Sequence, residues 1–409
     1  MNDLVLTPRT KSIPPQFWGR GAAEVAAERP ALRDFSTPLL TIDASAETHN
    51  VERMFRWARE NDIELAPHGK TSMSPELWHH LVDAGASSLT LATPWQVQVA
   101  RDAGFTRIGL ANELSDPRAI SWVVDQLESD ADFEFSCFLD SPTGLELLAA
   151  TEGDRPIDVL VELGADGGRA GARGVDGALA MAWAASREPR VRLIGVAGWE
   201  GPFGGERTAP DSAAVRHFLD ELVRLHDTVA EFGLFDVETP IVSAGGSMWF
   251  DVVAEAFAPL AGRARRVVRS GAFQLHDDIH YGHGSPFTDA AEPADRFVPA
   301  LAVWSRVLSR PEHGLALLDA GRRDLPFDLD LPVPQNDDGT PLAGAAITSV
   351  NDQHAFLSLP DDSTIGVGDV VRLGLSHPCT ALDKWRVVPV VDDSRSNDPR
   401  VTGFIETVF

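Results

Sequence analysis

From residue 63 onward the chain alternates two patterns of apolar and polar positions. Short apolar, β-branched runs give way to longer runs in which apolar residues recur at helical spacing. The short runs are IELA (63–66), SLTLA (88–92), RIGLA (107–111), FEFSCFL (133–139), IDVLVEL (157–163), VRLIGVAG (191–198), PIVSAG (240–245) and RVVRSG (266–271), eight in all. Between them lie PELWHHLVDAG, PWQVQVARDAG, PRAISWVVDQLES, PTGLELLAATEG, DGALAMAWAASRE, SAAVRHFLDELVRLHDTVAEFG and MWFDVVAEAFAPLAG. In the sixth of these, Val215, Phe218, Leu219, Leu222, Leu225, Val229 and Phe232 fall on one helical stripe. Several begin at Pro or Ser and stop at Gly, as helix ends require.

Eight strand–helix units predict an α/β fold, a closed (β/α)8 barrel, with an open doubly wound sheet as the alternative. After about residue 290 helical spacing fades and Pro and Gly rise. FVPALAVWSRVLS, GLALLDAG, HAFLSLP, DVVRLGL and KWRVVPVV then predict a mostly β domain, and LPFDLDLPVPQNDDGTPLAG a surface loop. The expected division is a barrel over 44–290 and a β domain over 291–409, with residues 1–43 packing with the β domain. TPLLTIDASAETHNVERMFRWARENDI reads as a strand followed by a helix.

Composition narrows the function. The 409 residues are 44% hydrophobic, enough for a sizeable core, yet no apolar run reaches the ~18 residues of a membrane span. A net charge of −26 argues against nucleic acid and anionic membranes as partners. The first residues hold no apolar stretch of signal-peptide length, which gives a cytoplasmic expectation. The two cysteines, Cys137 and Cys379, do not make a disulfide framework, and Cys137, inside FEFSCFL, is expected in the core.

In a barrel of this kind chemistry sits at the C-terminal strand ends. There the sequence places PHGKT after the first strand, Thr93 after the second, Asn112 and Glu113 after the third, GADGGRAG after the fifth, GWEG after the sixth and SAGGS after the seventh. Lys70 reads either as a loop lysine beyond its strand or as an amine set to react with a carbonyl, because burying an ammonium is costly. The amides of Gly245, Gly246 and Ser247, opening a helix, suit a phosphate. Arg169 in its Gly-rich loop is a solvated arginine or a donor to an acidic oxygen or aromatic nitrogen. A reactive amine and a phosphate cradle at one mouth suggest pyridoxal phosphate, with Lys70 as its Schiff-base residue.

The order TPLLTID, PHGKT, ATPWQ, ANE resembles the alanine-racemase-like (fold type III) pyridoxal phosphate enzymes, and among them the D-serine dehydratase and D-threonine aldolase family. The resemblance runs from about residue 37 to 385. It implies Lys70 as the Schiff-base lysine, with His68 beside it. It implies Arg169 of GGRAG against the cofactor, and SAGGS as the phosphate loop. RSGAFQLHDDIHYG is similar to the segment whose Tyr touches phosphate in alanine racemases, which would make that residue Tyr281. GWEG departs from the usual Tyr-containing strand, so Trp199 would take over its packing.

His377 and Cys379 are one residue apart. In an extended segment such side chains point the same way, a plausible half of a zinc site. By the resemblance, metal-dependent D-serine dehydratases carry His-x-Cys there and D-threonine aldolases His-x-Asp. The thiol therefore points to the dehydratase branch: β-elimination from D-serine or a related D-3-hydroxy amino acid, giving a 2-oxo acid and ammonia. Retro-aldol cleavage and racemisation are the alternatives. The single Tyr, Tyr281, already has a phosphate role, which leaves a two-base racemase without its usual second base. A non-catalytic pyridoxal phosphate carrier would not need the metal pair. The resemblance also implies a homodimer acting on a small D-amino acid. His354 is read as a site residue or a core histidine.

Overall fold

A computed structural model describes residues 4–409. The chain divides into two compact units: Phe55–Lys70 with Trp78–Gly271, and the residues up to Met54 with Thr71–Leu77 and Ala272–Phe409.

In the first unit all eight expected strands form. They are β1 (Glu64–Leu65), β2 (Leu89–Leu91), β3 (Arg107–Glu113), β4 (Glu134–Leu139), β5 (Ile157–Gly164), β6 (Val191–Gly198), β7 (Ile241–Ala244) and β8 (Arg265–Val268). Each pairs in parallel with its neighbours in chain order, and β8 pairs with β1. The ring closes between β1 and β2 through a parallel bridge of His68 to Thr90, with the Thr90 N–H donating to the Pro67 carbonyl at 2.9 Å. This is the (β/α)8 barrel. Its interior is filled rather than hollow: Phe138, Leu160, Ile194 and Ala197 make a buried cluster, with Ala111 and Ile241 packed on it.

The connecting helices bury the faces their spacing foretold. In Ala209–Glu231, Val215, Phe218, Leu219, Leu222, Leu225 and Val229 are buried. Phe232 departs from the stripe: it caps the helix C-terminus and is 52% exposed, because the helix ends before its position turns inward.

The second unit is built on a nine-stranded, mostly antiparallel sheet. Its N-terminal strand Leu39–Asp43 lies between Leu301–Glu312, antiparallel, and Val387–Val391, parallel. Flanked on both sides, that strand is buried at every position. The segment expected to be only a loop contains a short strand, Val333–Gln335, which pairs with Val370–Gly374. Two Pro and an Asp-rich flank masked it in the sequence; the partner strand supplies the ladder bonds that local propensity did not. No described helix is long and apolar enough to cross a membrane.

Candidate active site

Lys70 is carried on a single 3-10 turn, Gly69–Thr71, at the C-terminal end of β1. The fully buried Trp78 fixes the turn by donating its indole N–H to the Gly69 carbonyl at 2.9 Å. A Cβ on Gly69 would lie 2.6 Å from that indole nitrogen, so only glycine allows the approach. His68 is pushed well below the ordinary imidazole range by burial, then by the charges of Lys70, Arg269 and Arg169. Its Nδ1 is buried with no partner among the described residues. The ends of β1 and β8 pack closely here: a Cβ on Gly271 would lie 2.4 Å from the His68 carbonyl oxygen.

The GADGGRAG loop is pinned by a residue the sequence reading did not single out. Arg173 donates to the carbonyls of Gly168, Arg169, Ala170 and Gly171. The Gly171 amide donates to Asp140 Oδ2 at 3.1 Å, and its φ of +100° is open to glycine. The Arg169 guanidinium lies 4.3 Å from the centre of the Trp199 ring. Thr93, by contrast, caps a helix by accepting from the Gln96 N–H, and Asn112 ties β3 to the Ala92 carbonyl.

The SAGGS turn corrects one expectation: the amides of Gly245 and Gly246 are not bare. Glu200, fully buried, accepts from Gly245 N–H at 3.1 Å and from Gly246 N–H at 2.5 Å. The turn thus does bind an anion, and here the anion is a carboxylate of the chain itself. Ser247 follows at the start of the turn before Phe250–Phe257. Ser270 holds the turn from the other side, donating to the Gly246 carbonyl at 2.9 Å. Glu200 was missed because GWEG reads as a loop, although a carboxylate between two glycines beside a strand end was visible.

Arg269 is buried and donates to Ser243 Oγ at 2.6 Å and to the Gly198 carbonyl at 2.8 Å. Burial pulls its guanidinium down to about 10, against the opposing charges of Glu200 and Glu162. Burial raises Glu113 of β3 above the ordinary carboxyl range, and Glu162 of β5 is raised with it. Burial, then the charge of Glu113, pushes Glu162 up to about 8. Glu113 Oε1 and Glu162 Oε2 are buried without partners among the described residues. The C-terminal strand ends thus carry a lysine, a buried arginine, a glycine turn that holds Glu200 and two unpartnered carboxyl oxygens.

The second unit holds the other candidates. His377 has a left-handed backbone, φ +58°, and Pro378–Thr380 is a 3-10 turn. The His-x-Cys side chains therefore meet by a left-handed step and a tight turn, not by the extended alternation expected. The neighbouring Cys379 thiol and then Asp328 hold the His377 ring up at about 9 against the effect of burial. His377 Nδ1 lies 2.5 Å from Asp328 Oδ2, and Thr380 donates to Asp328 Oδ1 at 2.6 Å. Against the upward push of burial, Thr380 and His377 hold Asp328 below the usual carboxylate range. Cys379 Sγ also lies 3.2 Å from Thr71 Oγ1.

A His and a Cys side chain with a carboxylate behind the His fit a metal as two ligands and an orienting group. Among the described residues no set of three His, Cys, Asp or Glu side chains is gathered to hold an ion. Both cysteines are free, and Cys137 is buried in the core as expected. Tyr281 sits in His280–Gly284, whose start is capped by Asp277 accepting from the Ile279 and Tyr281 amides at 2.9 and 3.0 Å. His354 is exposed, on the turn between two strands.

Comparison with known proteins gives three points of likeness. The family described as "Putative serine dehydratase domain" matches residues 300–391. D-threonine aldolase of Arthrobacter sp. is 25% identical over 344 residues, 83% of this chain and 85% of its own. D-threo-3-hydroxyaspartate dehydratase of Delftia sp. (strain HT23) is 25% identical over 370 residues, 85% of this chain and 92% of its own. The solved structure of the latter has a TM-score of 0.74 at 23% identity, covering 93% of this chain and 99% of that one. That of D-threonine aldolase from Filomicrobium marinum has a TM-score of 0.79 at 23% identity, covering 93% and 97%. D-threo-3-hydroxyaspartate dehydratase has also been solved as a Cys→Ala mutant in the metal-free form and as a His→Ala mutant, the exchanged residues being two positions apart.

Proposed function

We propose that the chain, by its likeness to the D-serine dehydratase and D-threonine aldolase family of alanine-racemase-like enzymes, is a pyridoxal phosphate- and zinc-dependent dehydratase. Its substrate would be D-serine or a related D-3-hydroxy amino acid, released as a 2-oxo acid and ammonia. The observation that carries this reading is the tight turn that joins His377 and Cys379, with Asp328 on His377 Nδ1 behind them. The spacing matches that of the histidine and cysteine exchanged in the mutants of D-threo-3-hydroxyaspartate dehydratase.

In this reading Lys70 would hold the cofactor covalently, its phosphate would displace Glu200 from the Gly245 and Gly246 amides and lie beside Ser247, and His68, Arg169 and Tyr281 would support it. His377 and Cys379 hold the metal. Asp328 on His377 Nδ1 leaves Nε2 to ligate. When bound, the cofactor supplies an electron sink for the bond at Cα and the metal a Lewis acid for the departing hydroxyl. Lys70 Nζ would be the base that accepts the α-proton. Trp199 and Trp78 hold Arg169 and the lysine turn in place.

Product analysis tests the reading. D-serine and D-threo-3-hydroxyaspartate should yield 2-oxo acids that chelation abolishes. Glycine and an aldehyde from D-threonine would instead support aldolase action, the second reading, which the 25% identity to a D-threonine aldolase supports. A homodimer belongs to the same proposal, and sedimentation would test it.

A further inference from the structure

The chain has three lysines, and the two besides Lys70 both touch the segments that carry His377, Cys379 and Asp328. Lys11 comes from the N-terminal arm. Its Nζ lies 2.5 Å from Asp324 Oδ1, donates to the Arg323 carbonyl at 3.0 Å and stands 3.7 Å over the centre of the Trp385 ring. Asp324 is 1% exposed, and Lys11 is what meets its Oδ1, an atom with no other hydrogen-bond partner among the described residues. Its Oδ2 accepts from the Gly321 N–H at 2.9 Å. The buried Trp385 donates its indole N–H to the Asp324 carbonyl at 3.1 Å. Lys11, Asp324 and Trp385 thus make one clasp, and all three lie in the second unit.

Both halves of the clasp lead to the candidate metal pair. Four residues past Asp324 stands Asp328, whose Oδ2 meets His377 Nδ1. Residues 327–330 are exposed and belong to no helix or strand, so the buried 324–326 end is the anchor of that loop. Trp385 closes the turn that opens at His377, and it shares a core cluster with Leu325, Ala381 and Leu382. Lys384 secures the same turn, donating to the Thr380 carbonyl at 2.5 Å, while Thr380 donates to Asp328 Oδ1 at 2.6 Å. The arm that carries Lys11 is itself fixed. Ile13 and Phe17 are buried in a cluster with Leu39 and Trp304, and the Ser36 N–H donates to the Ser12 carbonyl at 3.0 Å.

We propose that Lys11 is a positioning residue for the metal pair: through Asp324 and Trp385 it holds the Asp328 loop against the His377–Cys379 turn. Two side chains and an orienting carboxylate bind a divalent cation tightly only if their separation is set before the ion arrives, since otherwise binding must also order them. A lysine that merely held the arm down would need no contact with either segment. Lys11 contacts both. Without it Asp324 keeps a buried carboxylate oxygen with no partner, and the loop end is the place where that strain is relieved.

This inference rests on the metal reading of His377 and Cys379. The test titrates metal-stripped full-length protein with cobalt(II) alone and follows the thiolate-to-cobalt charge-transfer band, with folding checked by circular dichroism and thermal melting. Lys11→Met should weaken cobalt(II) affinity about tenfold, the scale of losses behind metal ligands. Lys11→Arg, which keeps the charge, should restore most of it. Arg20→Ala removes ion pairs to Glu24 and Glu28 in the same arm, away from the clasp, and should leave the affinity at the wild-type value. If Lys11→Met does not fold, Lys384→Met carries the same expectation through Thr380 and Asp328. Wild-type affinity in a folded lysine variant, even one with a lower melting temperature, overturns the proposal, as does an equal loss in Arg20→Ala. If wild type gives no charge-transfer band at all, the metal reading itself fails and the proposal falls with it, a result distinct from the others.

Discussion

The barrel mouth and the His377–Cys379 turn solve opposite problems with the same residue types. In the barrel, charges are held out of water: Arg269 and Glu200 are buried, and burial is the first cause of the shifts on Arg269, Glu162 and His68. At the His377 turn the groups are partly exposed, and a hydrogen-bonding neighbour rather than burial decides the shift. A desolvated site is set up by the whole barrel and should respond to any lost partner. A half-exposed pair is set up locally and should be removable without disturbing the barrel.

The largest expected effect breaks the barrel half. Lys70→Ala should abolish borohydride-stable capture of pyridoxal phosphate and, with it, turnover. Peptide mapping of wild type should find the label on Lys70; a label on Lys11 or Lys384, the other two lysines, would move the reactive amine elsewhere. Next, Cys379→Ser should lower metal content and 2-oxo acid release by about 100-fold, judged by ligand and near-ligand losses in metal sites. The cofactor's absorption band should persist, and losing both together would end the independence of the two regions. Cys379→Asp should regain metal with a preference for harder ions.

Glu200→Ala tests the cost of a buried network. It leaves the Gly245 and Gly246 amides without their acceptor, so unfolding in urea should register a loss of about 2–4 kcal/mol. A change within error would mean the turn does not depend on Glu200. The smallest effect concerns pH. Glu162 is raised in the folded state, so the stability its protonation brings is complete below the ordinary carboxyl range. That stability is lost as the pH climbs through about 8. Glu162→Gln should flatten the fall in melting temperature across that window; an unchanged slope would place the proton elsewhere.

Much of this was open to inspection in the chain. The barrel strands announced themselves because a strand buried on both faces must be apolar throughout, as VRLIGVAG and IDVLVEL are. PHGKT, SAGGS and His-x-Cys were legible because each needs only a few adjacent residues. Glu162 was half legible: a lone carboxylate inside IDVLVEL is out of place, but its partner Glu113 lies 49 positions earlier, as residues 113 and 162.

The tertiary structure alone decided which groups share an environment. Asp328 is brought to His377 from a Pro- and Asp-rich loop with no local signal, across 49 residues of chain. Glu200 reaches the glycine turn across 45 and 46 residues, turning amides that looked bare into bonded ones. Sequence pattern determines which residues turn inward because side-chain periodicity is local. Which inward-facing charges meet, and so which keep or lose a proton, depends on distance and burial, and both exist only once the chain has closed on itself.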